Sequence, residues 1–444
     1  VITLDDYLVT TRGYRGFPLD ESRFAPLHAT YRKLFDYFCA EIPKMIQKEI
    51  SAPQFKIVYT VRARTEIVTL PDRDYIVYDQ YNGQIIGKLN RLLLEERGLE
   101  RLDAYLFKLV AIRIFDQGDT EGALASAMLH AVSSARLPPV RQQAPTLDTY
   151  ARWMQTLMNE AFAIAHEMCH YLWRGPPLIR AAMRDFCVPP AVIGARLRDL
   201  DQQDVDVAAL VEEGYNRDYR AAAERAVAGA TWSSDEEKER FLRGSGQRQE
   251  PRDFVHVSHA ERVAEFIEDP HLLEEFVCDS LAAELVDRWS AKESEPAALL
   301  DSFPMSLAAL HHLRLLRTLD ALAFGRELDE RHLLRETRES QARISLLRLF
   351  GGGSLFLRQV NASDPGGEYP LDRMEGERRR LNGLFTSMNE TYAENINDHV
   401  LFFFLRHARS AMSRIRDEGL IDGDAVDAAG TIAALCGFVT ADGG

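Results

Sequence analysis

Cysteine is scarce in this chain and scattered. Five occur in 444 residues (Cys39, Cys169, Cys187, Cys278 and Cys436), an odd number with no C-x-x-C pair among them. That excludes a small disulfide-stapled fold and points to reduced thiols in a cytosolic compartment. Apolar runs of the ~18 residues that a membrane helix needs are missing, and so is a charged-then-apolar leader. The expectation is a soluble cytoplasmic protein with no membrane partner. A surplus of positive charge is missing too: 53 Lys and Arg stand against 68 Asp and Glu, a net charge of −15. General nucleic-acid binding is therefore not expected, because neutralising phosphates requires a basic surface. Basic spots such as Glu377-Arg378-Arg379-Arg380 are interleaved with acids and read as a solvated helix face. There is no internal repeat.

What is present is length enough for a large core divided into subdomains. The pattern predicts an α+β fold, mostly helical, with a small N-terminal sheet and a helical C-terminal region. Residues 1 to about 50 open with an irregular aromatic stretch (Tyr7, Tyr14, Phe17, Phe24) and continue as a helix from Pro26 to Ile50, kinked or broken at Pro43. The β-branched runs FKIVYTVRA, EIVTL and YIVYD predict two or three strands. Asn82-Gly83 breaks the run, and the chain turns helical from about Ile85, with an interruption near Gly98 and a second helix near 120 to 134. Pro138, Pro139 and Pro145 mark a loop. A Gly- and Pro-free helix is predicted from Leu147 to Trp173, stopped by Arg174-Gly175-Pro176-Pro177. A polar, helix-rich insertion follows at about 178 to 260, with a candidate mobile cover at about 232 to 252. Helices are predicted at about Ser258–Glu268 and Pro270–Trp289, a Leu-rich pair at 305 to 350, a Gly-rich connector at 351 to 367, and a last helical segment at about 372 to 418. The expected divisions are 1–145, 146–350 and 351–444.

One stretch dictates a chemistry. His166-Glu167-Met168-Cys169-His170 fits H-E-x-x-H, and it lies in a helix that is apolar around most of its circumference. Residues four apart share a helix face, so His166 and His170 can aim ring nitrogens at one cation. Glu167, turned by about 100°, reaches water there as a general base. Two His with an open position are a zinc-hydrolase arrangement, Zn²⁺ being the expected cofactor. The other reading is a pair of core histidines bonded to carbonyls. Cys169 reads as packing.

A third ligand is expected among later carboxylates. Glu265/Asp269 and Glu275/Asp279 both fit E-x-x-x-D, so spacing does not choose. Projected on a helix, Glu275 and Asp279 fall within the arc of Leu272, Ala282, Ala283, Val286 and Trp289, opposite Ser280, Glu284, Asp287 and Arg288. Glu265 and Asp269 fall on a polar side. Carboxylates in an apolar stripe require a compensating cation. Glu275 is the predicted third ligand, and Asp279 the acceptor for the second ring N–H of a ligand histidine. An internal ion pair with an arginine is the competing reading. His256, His259 and His271 read as surface or capping residues.

HEMCH followed by EFVCD resembles the gluzincin zinc metallopeptidases and, among cytosolic types, is similar to the ImmA/IrrE-type and Lit-type phage-exclusion peptidases. The resemblance covers two helices, and the spacer of 104 residues between His170 and Glu275 is far longer than in thermolysin-like members. It implies a zincin-like core, His166, His170 and Glu275 as zinc ligands, Glu167 as base, Asp279 behind them, and hydrolysis of peptide bonds in one or a few protein or peptide substrates. Tyr369, in Glu368-Tyr369-Pro370, is the candidate transition-state donor. A zinc-containing helical interaction scaffold without activity is the alternative.

Overall fold

A computed structural model of the chain describes residues 3–14, 21–96, 99–138, 147–187, 269–292, 302–323, 399–420 and 427–436, with Arg343 and Ile396 besides. The elements among them are α1 (Leu4–Thr10), α2 (Glu21–Ile46), β1 (Gln54–Val58), β2 (Thr65–Thr69), β3 (Asp74–Asp79), α3 (Gln80–Arg91), a π-helical turn Leu92–Glu96, α4 (Leu99–Asp116), α5 (Thr120–Ala135), α6 (Leu147–Trp173), α7 (Pro177–Cys187), α8 (Pro270–Lys292), α9 (Ser302–Ala323), a π-helical turn His399–Phe404, α10 (Leu405–Asp417) and α11 (Ala428–Cys436). Among the described residues the chain is thus mostly helical with one small mixed sheet, as expected. Most of the insertion, the proposed cover at 232 to 252, the helix at 258 to 268, the Gly-rich connector, and Tyr369 lie outside the described residues.

The sheet has the order β1-β3-β2, with β1 parallel and β2 antiparallel to the central β3. Strand alternation divides β3 between two cores: Ile76 and Tyr78 join the core of α2 and α6, while Tyr75 and Val77 pack with Leu8 of α1. Helix α1 occupies part of the stretch expected to be irregular. Thr3 caps it by accepting from Asp6 N, and buried Leu8 anchors it to the sheet.

Two proline and glycine signals are overridden by packing. Helix α2 begins at Glu21, includes both Pro26 and Pro43, and ends at Ile46. Its buried stripe of Tyr31, Leu34, Phe38, Ile42 and Met45 begins after Pro26 and runs past Pro43, so packing holds the helix across the second missing N–H group. Helix α3 begins at Gln80, so Asn82-Gly83 sits in its first turn and does not end the strand region. Asp79 caps it, accepting from Tyr81 N at 3.0 Å and from Thr60 N and Ala63 N at 3.1 Å. Gly83 is required there because a Cβ would stand 1.7 Å from Glu160 Oε1 and 2.8 Å from the Tyr78 hydroxyl.

Helix α6 has the predicted bounds, and α8 is its most extensive neighbour. A second apolar core gathers α3, α4, α5, α10 and α11; α11 is an addition to the expected elements. Helix α9 joins the cores, giving Met305 and Leu310 to one and Leu315 and Leu319 to the other. The polar side of α8 is not left to solvent. Arg288 bonds Glu284 at 2.8 Å and Glu41 of α2 at 3.2 Å, and Glu284 is buried.

Candidate metal centre

Helix α6 stops soon after the second histidine. Gly175 N donates to Leu172 O at 3.0 Å, and a Cβ on Gly175 would stand 2.9 Å from that oxygen, so the turn needs glycine. His166 and His170 therefore lie in the last two turns, buried, with ring centroids 4.5 Å apart and ring planes at 84°. Phe162, one turn earlier, stacks on the His166 ring at 6.0 Å. Opposite them α8 presents Glu275 and Asp279. These are 5% and 0% exposed, so the helical projection places both correctly in the interior. Asp269 is the N-cap of α8, accepting from His271 N at 2.9 Å. His271 itself is exposed. Glu265, His256 and His259 lie outside the described residues.

The histidine Nε2 atoms are 3.0 Å apart, and each is 3.6 Å from an oxygen of Glu275. His166, His170 and Glu275 thus form a group that could hold a metal ion, their ligand atoms all within 4.8 Å of one another. Atoms about 2.1 Å from a tetrahedral zinc stand roughly 3.4 Å apart. The nitrogens are closer than that edge, and the two nitrogen–oxygen distances, made to different oxygens of Glu275, are slightly longer.

The outer nitrogens explain why the inner ones converge. His170 Nδ1 is hydrogen-bonded to Glu274 Oε1 at 2.7 Å, and His166 Nδ1 lies 3.0 Å from Asp279 Oδ1, somewhat off the ideal hydrogen-bond line. An ionised carboxylate only accepts, so each Nδ1 carries the proton. A neutral ring then turns its Nε2 lone pair inward, and two lone pairs beside a carboxylate repel unless a cation lies among them. Without metal, a proton serves on His170. Burial would lower the pKa of that ring, but Glu275, Glu167 and Glu274 outweigh it and raise it to about 9.

Arg343 completes the electrostatics. Its Nε and Nη2 contact the two oxygens of Asp279 at 2.8 Å each, and its Nη1 lies 2.7 Å from Glu275 Oε2. Burial pushes both carboxyls towards the neutral acid, yet the guanidinium and the histidines hold Glu275 and Asp279 below the ordinary carboxylate range. Glu167 is half-buried. Burial raises its pKa against the pull of both histidine rings, the direction that suits a proton acceptor working near neutrality.

Two participants were not read from the sequence. Glu274 had a signal, since an acid adjacent to Glu275 is turned by about 100° and can serve the other histidine. Arg343 stands in no motif, so its number was not legible, but its ion pairs with Glu275 and Asp279 are the internal pairing with an arginine that the sequence left as the competing reading. All five cysteines are free, and Cys169 is packing, with no exposure. Among the described residues no helix is long and apolar enough to cross a membrane. Comparison with known proteins returns no match, whether to a family model, a curated protein sequence or a solved structure.

Proposed function

We propose that the chain is a zinc-dependent metallopeptidase of gluzincin type with a zincin-like core, hydrolysing peptide bonds in one or a few cytoplasmic proteins. The observation that carries the reading is the convergence of two imidazole Nε2 atoms and a buried carboxylate, each histidine backed by its own acid, with Glu167 next to the first histidine. Two nitrogens and one oxygen suit Zn²⁺ among the common divalent ions, because imidazole favours it over calcium and magnesium. When bound, zinc would polarise the scissile carbonyl and make water acidic enough to be deprotonated at neutral pH. Glu167 takes that proton and returns it to the leaving amine. Asp279 and Glu274 keep the Nδ1 protons in place, so both Nε2 atoms stay ligands. Strand β2 is an edge of the sheet and packs beside α6, and an extended peptide laid along it would gain main-chain hydrogen bonds.

A second reading has an observation in its favour. Arg343 already pairs with both Glu275 and Asp279, so part of their charge is met by the protein itself, as in a helical interaction scaffold without activity. Glu167→Gln separates the two. The peptidase reading expects zinc to bind one per chain and the variant to keep zinc and its melting temperature while losing cleavage of substrates found by proteomic comparison with the wild type. An unchanged cleavage profile in the variant, or a wild type that takes up no zinc, sinks it.

A further inference from the structure

We infer that Arg343 is the resident counter-ion of this site, and that Arg343 and a divalent cation held by His166, His170 and Glu275 oppose one another. The inference rests on the metal reading of the cluster and not on peptidase activity. All three guanidinium nitrogens are spent on two carboxylates one helical turn apart, Nε and Nη2 on Asp279 at 2.8 Å and Nη1 on Glu275 at 2.7 Å. The groups are buried together, Arg343 at 3%, Glu275 at 5% and Asp279 at 0% exposure. The oxygens that Arg343 holds are the ones facing His166: Asp279 Oδ1 is 3.0 Å from its Nδ1 and Glu275 Oε2 is 3.6 Å from its Nε2.

Two consequences follow from charge. Without metal, two buried carboxylates need compensation, and a guanidinium does not deprotonate, so it supplies a permanent positive charge. With metal, a divalent cation shares those carboxylates with that charge, and repulsion in a buried site is weakly screened. Arg343 therefore lets α6 and α8 stay docked in the metal-free protein at the expense of metal affinity. By linkage, removing it destabilises the metal-free form more than the loaded one.

The opposite sign would hold if Arg343 served chiefly to orient the ligands. Orientation is already secured elsewhere: Val277, Cys278 and Leu281 of α8 are fully buried, and His166 contacts Asp279 directly. Charge is supplied in part by the histidines, but among the contacts described Arg343 is the cation paired with both carboxylates, and it keeps its charge at any working pH.

The experiment compares the full chain with R343Q and R343K, measuring zinc affinity by chelator competition and melting temperature in EDTA and in zinc. R343Q is expected to melt well below wild type in EDTA, to gain more from zinc, and to bind zinc between about fivefold and a hundredfold more tightly. Equal or weaker zinc binding by folded R343Q overturns the inference and leaves the metal site standing. Should R343Q not fold even with zinc, R343K decides: it keeps the charge and loses the fork, so zinc affinity within a few-fold of wild type supports the counter-ion and a loss of tenfold or more overturns it in favour of orientation. A folded wild type that binds no zinc overturns the metal reading and this inference together.

Discussion

At the scale of the residue, Gly83 and Glu160 carry the sharpest expectations. Alanine in place of glycine inside a helix ordinarily stabilises by about 0.5–1 kcal/mol. Here the added methyl would meet Glu160 Oε1 at 1.7 Å, so the sign reverses. Gly83→Ala should lose about 1–3 kcal/mol by overpacking, read from denaturant unfolding; a gain in stability would mean that Glu160 moves aside freely. Glu160 is buried and accepts hydroxyls from Tyr31 at 2.6 Å and Tyr78 at 2.7 Å. Burial raises its pKa to about 7 against those hydrogen bonds. A folded-state pKa above the unfolded value of 4.5 means that the native state binds this proton more tightly. Its contribution is thus fully present below about pH 4.5 and is lost as pH rises towards 7, by on the order of 3 kcal/mol. Glu160→Gln cannot titrate, so the variant should gain on the wild type across that window. Stability curves that run parallel from pH 4.5 to 7.5 would show the acid to be ionised throughout.

At the scale of the element, α8 holds half of the candidate site and is begun by Asp269, which bonds His271 N at 2.9 Å and Leu272 N at 3.3 Å. Asp269→Ala should cost about 0.5–2 kcal/mol and fray the first turn, which ends beside Glu274. Amide exchange would show it: faster exchange at residues 271–274 with residues 277–282 unchanged. Exchange as slow as wild type would mean that packing, not the cap, sets this end. The same pair of acids shows how far periodicity reaches. Helical projection separated Glu275 and Asp279 from Asp269, because an inward stripe is a property of one helix. It could not say that Glu284, on the opposite side, is buried, or that its partner Arg288 reaches Glu41 of α2, because that contact joins residues 247 apart in the chain. Nor could proline counting end α2, whose stability comes from its buried stripe.

At the scale of the molecule, a polar staple joins three helices beneath the site. Asn159 of α6 donates to Met305 O of α9 at 2.6 Å and accepts from Asn90 of α3 at 3.2 Å and from Gln155 at 3.0 Å. Asn159 and Asn90 are fully buried. Asn159→Ala leaves buried partners unmatched and should cost about 1–3 kcal/mol. Calorimetry tests this, and a variant that melts like wild type would show that the surrounding amides rearrange to satisfy one another.

The sequence by itself determined the mostly helical character, a small sheet of two or three strands, the bounds of α6, and four side chains that the structure brings together: His166, His170, Glu275 and Asp279. Each was legible because it follows from a short-range period, two for a strand, about 3.6 for a helix, or from a fixed spacing within one helix. Tertiary structure alone decided that the two histidine Nε2 atoms stand 3.0 Å apart above Glu275, that Glu274 backs His170, that Gly83 makes room for Glu160, and that Arg343 clamps both carboxylates. Those facts join residues far apart in the chain. The physical reason is that a buried charge chooses its partner by distance in three dimensions, and sequence spacing carries that distance only within a single element.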